Sequence, residues 1–202
     1  MAGHSRYNVS AKGAGVVGNI LKNKLGIKDQ KTLDDAEAIL LSDTYSHFFS
    51  QLEKSGLTFN SSLLFQIHAY FLGTLYSWAG KLRRVNISKD DVLFAPAEYL
   101  EHSLQELDAA LTNYIPTSRD TKTRVAKKLA FIHNELNALH PFREGNGRTI
   151  RLFLDLLAAN AKHLPIDWDR AGKTAYINAC KLGMIRDHDA MAKVIGKGLL
   201  KK

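Results

Sequence analysis

Apolar residues recur along this chain mostly at helical spacing, and the exceptions are informative. Leu33, Ala36, Ile39 and Leu40 lie three and four apart within residues 31–52, which predicts a helix with those residues on its inward face. "SGLTF" breaks the pattern. A second helix is predicted over 61–79, where Leu64, Ile67, Phe71, Leu72 and Leu75 form one stripe that includes His68, closed by Gly80. Residues 82–96 switch period. Val85 and Ile87 alternate with polar neighbours, "SKDD" supplies a turn and "VLF" follows, which predicts a short β-hairpin. Helical spacing resumes over about 97–114, before Pro116. The clearest stripe is Val125, Leu129, Ile132, Leu136 and Leu139, with steps of four, three, four and three. It runs directly into His140. Ile150, Phe153, Leu154 and Leu157 predict a further buried helix ending near His163, and two more helices are expected at about 167–182 and 187–200. No repeat or low-complexity linker interrupts the chain.

The interruption after Leu139 carries the chemistry. "HPFREGNGRTIR", residues 140–151, concentrates His, Glu, Asn, two glycines and three arginines. Pro141 resists continuation of the preceding helix and biases His140 away from the α region. Gly145 and Gly147 flank Asn146 and free the backbone. A glycine-rich loop that opens a helix leaves backbone N–H groups aimed outward at the positive end of the dipole, an anion site whose usual occupant is phosphate. Arg148 and Arg151 are three apart on that helix and share a face. Two arginines suit a di- or triphosphate. Glu144, a lone carboxylate beside such phosphates, fits a Mg²⁺ ligand. His140, with an unperturbed pKa near 6.5, fits a general base. Each residue alone has an ordinary structural explanation, as cap, core histidine or dipole partner. Their concentration in one loop favours a site. It is not a P-loop, because GxxxxGK[ST] is missing and a helix precedes it.

Composition narrows the setting. The chain has 202 residues, enough for one domain, or at most two small ones, with a real core. Its net charge of +8 favours anionic partners, although dispersed surface Lys and Arg would account for it equally well. Cys180 is the only cysteine, so no intrachain disulfide can form, and a reducing, cytoplasmic setting is expected. No apolar run approaches a membrane span, and the first residues lack the apolar core of a signal peptide. Residues 1–24, polar and small, are expected to form a flexible leader. No helix-turn-helix with an evident recognition helix stands out, so direct nucleic-acid binding is not expected.

Residues 140–151 resemble the signature of the Fic (filamentation induced by cAMP) family, histidine–x–phenylalanine–x–Asp/Glu–glycine–asparagine–glycine–arginine–x–x–arginine, at every fixed position. "IHAYFLGTLYSWAGKLRRVNISK" (67–89), "LGIKDQKTLDDAEA" (25–38) and "LPIDWD" (164–169) extend the resemblance over roughly residues 25–195. It implies an all-α Fic fold over 25–202: a helical core around a helix–loop–helix active site, with the hairpin at 82–96 as a flap. It implies a protein adenylyltransferase that moves AMP from ATP to a Ser, Thr or Tyr hydroxyl of a target protein. His140 would be the base and Glu144 the Mg²⁺ ligand. Gly145, Asn146, Gly147, Arg148 and Arg151 would bind the phosphates. The flap residues Asn86, Ile87, Ser88, Lys89, Asp90 and Asp91 would dock an extended target segment by strand addition. A small residue at Gly147 favours AMP transfer over kinase chemistry. The inhibitory pattern Ser/Thr–x–x–x–Glu–Gly/Asn of many relatives does not occur here. The resemblance therefore implies a toxin silenced by a separate small antitoxin that supplies the glutamate. Transfer of another nucleotide or phosphate-containing group on the same site stays open at this stage, as does a non-catalytic basic domain that binds DNA or protein.

Overall fold

A computed structural model describes residues 20–200, together with the backbones of residues 8–9 and 16–17. The order is β1 (Asn8–Val9), β2 (Val16–Val17), β3 (Ile20–Leu21), α1 (Gln30–Ser55), α2 (Ser61–Leu72), β4 (Ile87–Lys89), β5 (Val92–Leu93), α3 (Leu100–Tyr114), α4 (Lys122–Leu139), α5 (Asn146–Asn160), α6 (Lys173–Gly183) and α7 (Asp189–Gly198). Short 3₁₀ turns at Ala97–Tyr99 and Trp168–Ala171 lead into α3 and α6. Most of the leader expected over 1–24 lies outside the described residues. Within that span Leu21 is buried, and the Lys24 N–H donates to the Leu75 carbonyl at 2.7 Å.

Polar caps start the long helices. Asp29 accepts from the Thr32 N–H at 2.8 Å, Asn60 from Leu63 at 3.0 Å and Thr121 from Arg124 at 3.3 Å, each satisfying a first-turn amide. α4 and α5 form the centre. α4 packs against α3, α5, α6 and α7, and α5 also meets α1 and α2. All five residues of the α4 stripe are buried, as are Ile150, Phe153, Leu154 and Leu157 of α5. Leu152, Leu156 and Ala158 are buried too, and Asp155 with them, so α5 is enclosed on nearly every side.

Two expectations change. The inward face of α1 is Leu33, Glu37, Thr44 and Phe48, while Ile39 is 71% exposed. The i, i+4 row through Leu33 carries a glutamate, and apolar spacing alone passes over it. α2 stops at Leu72, capped by Gly73, and not near Ala79. Tight turns carry Leu75 and Tyr76 into the core beyond it, and Gly80 (φ 70°) closes against α2, where a Cβ would lie 2.6 Å from that of Ala69. The hairpin forms inside its predicted window. Lys89 pairs with Val92 across Asp90–Asp91, with Asp90 at φ 51°. β4 is hydrogen-bonded on both sides, because Asn8 and Val9 of β1 pair with Ser88 and Ile87.

Candidate active site

The loop between α4 and α5 is held by its own side chains. His140 ends α4 in the left-handed conformation (φ 46°, ψ 62°), its N–H donating to Leu136 at 2.9 Å. A non-glycine residue held there costs about 1 kcal/mol or more. Both polar atoms of the Asn146 side chain are engaged by Phe142: Oδ1 accepts its N–H and Nδ2 donates to its carbonyl, each at 2.8 Å. Asn146 is fully buried, so its side chain holds the loop and is not offered to a ligand. Phe142 is fully buried and stacks on His68 with ring centroids 3.7 Å apart. His68 has one tautomer: the Gly80 N–H donates to Nδ1 at 2.8 Å, so Nε2 carries the hydrogen and donates to the Glu144 carbonyl at 2.9 Å. Burial pushes the His68 pKa down to about 4, which keeps this arrangement neutral.

Gly145 takes φ 80°, and a Cβ there would meet Leu72 Cδ1 at 2.7 Å. As N-cap it has no side chain to satisfy the first amides of α5, which start the helix without a side-chain cap. A Cβ at Gly147 would meet nothing within 4 Å. Gly147 opens onto a cavity of about 220 Å³ that it shares with His140, with Lys89 and Asp90 of the flap, and with Phe94, Tyr176, Ile177, Cys180 and Met184. This wall, with its aromatic and aliphatic members, was not anticipated from the sequence. It comes largely from α6, whose spacing reads as an ordinary amphipathic helix. Burial raises the Cys180 thiol to about 11, so it is a neutral wall atom. A wider groove of about 940 Å³ beside Trp78, Lys81 and Arg84 includes none of His140, Glu144 or Gly147, so its size does not make it the site.

His140 carries its proton assignment on its face. Nδ1 lies 2.7 Å from the Asn137 carbonyl, which can only accept, so the neutral ring has its hydrogen on Nδ1 and its lone pair on Nε2. Phe94 of the flap root stacks on the ring at 3.7 Å. Burial pushes the His140 pKa down to about 3, against the pull of Asn137 and reinforced by the charges of Arg83, Lys89 and His133. At neutral pH the ring is an unprotonated base.

The two motif arginines diverge. Arg148 Nη1 pairs with Glu37 of α1 at 2.6 Å, and the guanidinium lies 4.9 Å from the Phe71 ring centroid. Tyr76 donates to the other Glu37 oxygen at 2.6 Å. Arg148 Nη2 is buried with no hydrogen-bond partner among the described residues. Arg151 lies over Tyr176, 5.9 Å from its ring centroid, and pairs with no carboxylate among the described residues. Glu144 is 3% exposed, and its Oε1 accepts the Gly145 N–H at 3.3 Å. No cluster of three or more His, Cys, Asp or Glu that could hold a metal occurs among the described residues. In the flap, Asn86 caps the Ala97 N–H at 2.8 Å and Ile87 is buried beside Phe94, while Lys89, Asp90 and Asp91 are exposed.

An uncapped helix N-terminus, a neutral histidine and a β-hairpin line one cavity at the centre of this helical domain. Residues 58–158 match the Fic/DOC family, and the chain belongs to it. The protein adenylyltransferase VbhT of Bartonella schoenbuchensis is 33% identical over 182 residues, 89% of this chain. A Sinorhizobium fredii relative named "Probable protein adenylyltransferase" is 33% identical over 144 residues, 71% of this chain. The chain spans 37% of the Bartonella relative and 72% of the Sinorhizobium one. The fold is shared with BepC of Bartonella tribocorum, whose crystal structure carries bound AMPPNP (TM-score 0.75, 23% identity, 90% of this chain and 93% of that one). Among the described residues no helix is long and apolar enough to cross a membrane.

Proposed function

We propose that this chain is a protein adenylyltransferase, moving AMP from ATP to a hydroxyl of a protein target in the cytoplasm. The observation that carries the reading is the pairing of an unprotonated His140 Nε2 with an uncapped helix start across one cavity. The target oxygen attacks the α-phosphorus and its proton passes to His140 Nε2. The bond to the bridging oxygen breaks and pyrophosphate leaves. The amides of α5 and the guanidinium of Arg148, with its buried Nη2, take the negative charge of the departing phosphates; Arg151 reaches them from the α6 side. Phosphate charge arriving at the loop raises the proton affinity of His140, so the ring strengthens as a base when nucleotide is bound. Glu144 would hold Mg²⁺: one carboxylate completed by phosphates and water suits this ion, which supplies charge neutralisation between phosphates. The open space at Gly147 accommodates the nucleotide in the AMP-transferring pose.

Arg151, without a carboxylate among the described residues, supports control in trans. A separate antitoxin carrying the missing glutamate binds over this arginine and silences the chain as a toxin. The test is incubation with Mg²⁺, a bacterial lysate and α-labelled ATP, beside His140→Ala. Protein labelling by the wild type alone is expected. Labelling from γ-labelled ATP only, or equal labelling by the variant, would overturn the reading. Full activity only after deletion of one of the chain's own terminal helices would overturn control in trans.

A further inference from the structure

Arg83 lies at the start of the flap window, ahead of β4, where apolar spacing gives this arginine no role of its own. It is 3% exposed and pairs with no carboxylate among the described residues. Its guanidinium is surrounded by main-chain carbonyls. Nε donates to His140 at 2.7 Å, Nη2 to Leu139 at 3.0 Å and to Ala95, and Nη1 to Val85 at 2.9 Å. Its own N–H donates to the Pro141 carbonyl at 2.9 Å. One side chain thus joins the end of α4 to both roots of the flap, before β4 at Val85 and after β5 at Ala95.

The placement matters because the carbonyls of Leu139 and His140 are the last of α4 and have no helical partner. His140 sits in a left-handed conformation that is uncommon outside glycine. A planar fork with donors in fixed directions can hold several acceptors at once, and a lysine ammonium cannot reproduce that geometry. A buried guanidinium without a counter-charge is expensive to keep: burial lowers its pKa to about 10, and it still stays charged at neutral pH. Such a group persists where its hydrogen bonds have no substitute.

We propose that Arg83 is the positioning residue of the reaction. It locks the backbone of His140, and with it the direction of Nε2, and ties that setting to the flap that covers the cavity. It touches no substrate. The inference rests on the adenylyltransferase reading, so the wild type is assayed in every experiment: a wild type that transfers nothing sinks that reading, whereas an active wild type with indifferent variants sinks only this one.

The test compares Arg83→Ala and Arg83→Lys with the wild type, and with Leu104→Ala, a core truncation in α3 that lowers stability away from the site. Melting curves and steady-state kinetics are measured for each. The expected result is a fall in kcat of about 100-fold in both Arg83 variants. KM for ATP should stay within about threefold, because the phosphate contacts are made by other residues. Leu104→Ala should lose stability without that fall in kcat. Ethylguanidinium added to Arg83→Ala should restore part of kcat, and equal NaCl should not. Unchanged kcat, a loss confined to KM, or the same kcat loss in Leu104→Ala would overturn the proposal. Failure of both Arg83 variants to fold would assign Arg83 to the fold alone and overturn it as well.

Discussion

The Glu37–Arg148 pair beside the motif loop offers a test of the proposed phosphate-binding role of Arg148, read from thermal stability with and without nucleotide. Glu37 is 4% exposed and lies 2.6 Å from Arg148 Nη1, with Tyr76 on its other oxygen. Glu37→Gln keeps the shape and can still accept the Tyr76 proton, but it leaves Arg148 buried beside Phe71 without a counter-charge. Removing one partner of a buried pair costs about 3–5 kcal/mol. Arg148 keeps some exposure, 14% of its side chain, and glutamine can still accept one hydrogen bond, so about 2–3 kcal/mol is the reasoned figure. For a chain of this size each kcal/mol moves the melting temperature by about 2–4 °C, so a fall of roughly 4–12 °C is expected. Nucleotide should then narrow the gap. The phosphates give the unpaired guanidinium a new counter-charge, so saturating ATP stabilises Glu37→Gln more than it stabilises the wild type. Thermal melts with and without Mg-ATP read both effects in one series. A Gln variant melting within about 1 °C of the wild type, or gaining less from ATP, would refute the account of Arg148 as a phosphate donor held ready by Glu37.

Acid should destabilise the apo protein through its buried neutral histidines. The pKa values of His68 and His133 are lowered to about 4 and that of His140 to about 3, so between these values and about 6.5 the unfolded chain binds more protons and stability falls as pH falls. Asp155, raised to about 6 by burial, works the other way between about 4 and 6, but three histidines outweigh one carboxyl. Urea melts from pH 4.5 to 7.5 should therefore show stability rising with pH, and a flat or inverted profile would contradict the assignment. At the loop, Gly147→Leu should fold normally and lose nucleotide binding by calorimetry, because its side chain enters open space. Gly145→Ala should instead lower the melting point, because of its φ of 80° and the Leu72 contact. At the flap, Val9→Pro removes an N–H from the strand seated on β4. If a target pairs with that edge, labelling of a given target by Val9→Pro should rise; a fall would mean that β1 supports the flap and that targets use another edge.

Sequence and tertiary structure divide this protein along a physical line. Local pattern was enough for what depends on neighbours a few residues apart. The α4 stripe is buried as its spacing demands, the hairpin folds at its turn residues, and the motif loop breaks at Pro141, turns at Gly145 and opens a helix at Asn146. The identity of the loop as a candidate phosphate site was legible for the same reason: His140 to Arg151 are contiguous. Partnerships across the fold were not. Glu37 lies 111 residues before Arg148, Arg83 57 before His140, and His68 76 before Glu144. No periodicity links such pairs, since each residue reads locally as one more charge or one more histidine in a stripe. Asn146 illustrates both halves. Its position in the motif marks it for the site, yet only packing shows its side chain closing the loop on Phe142. Which residues make up the loop follows from their order along the chain. Which way His140 points, and what holds it there, follows from contacts that form only once the helices have packed.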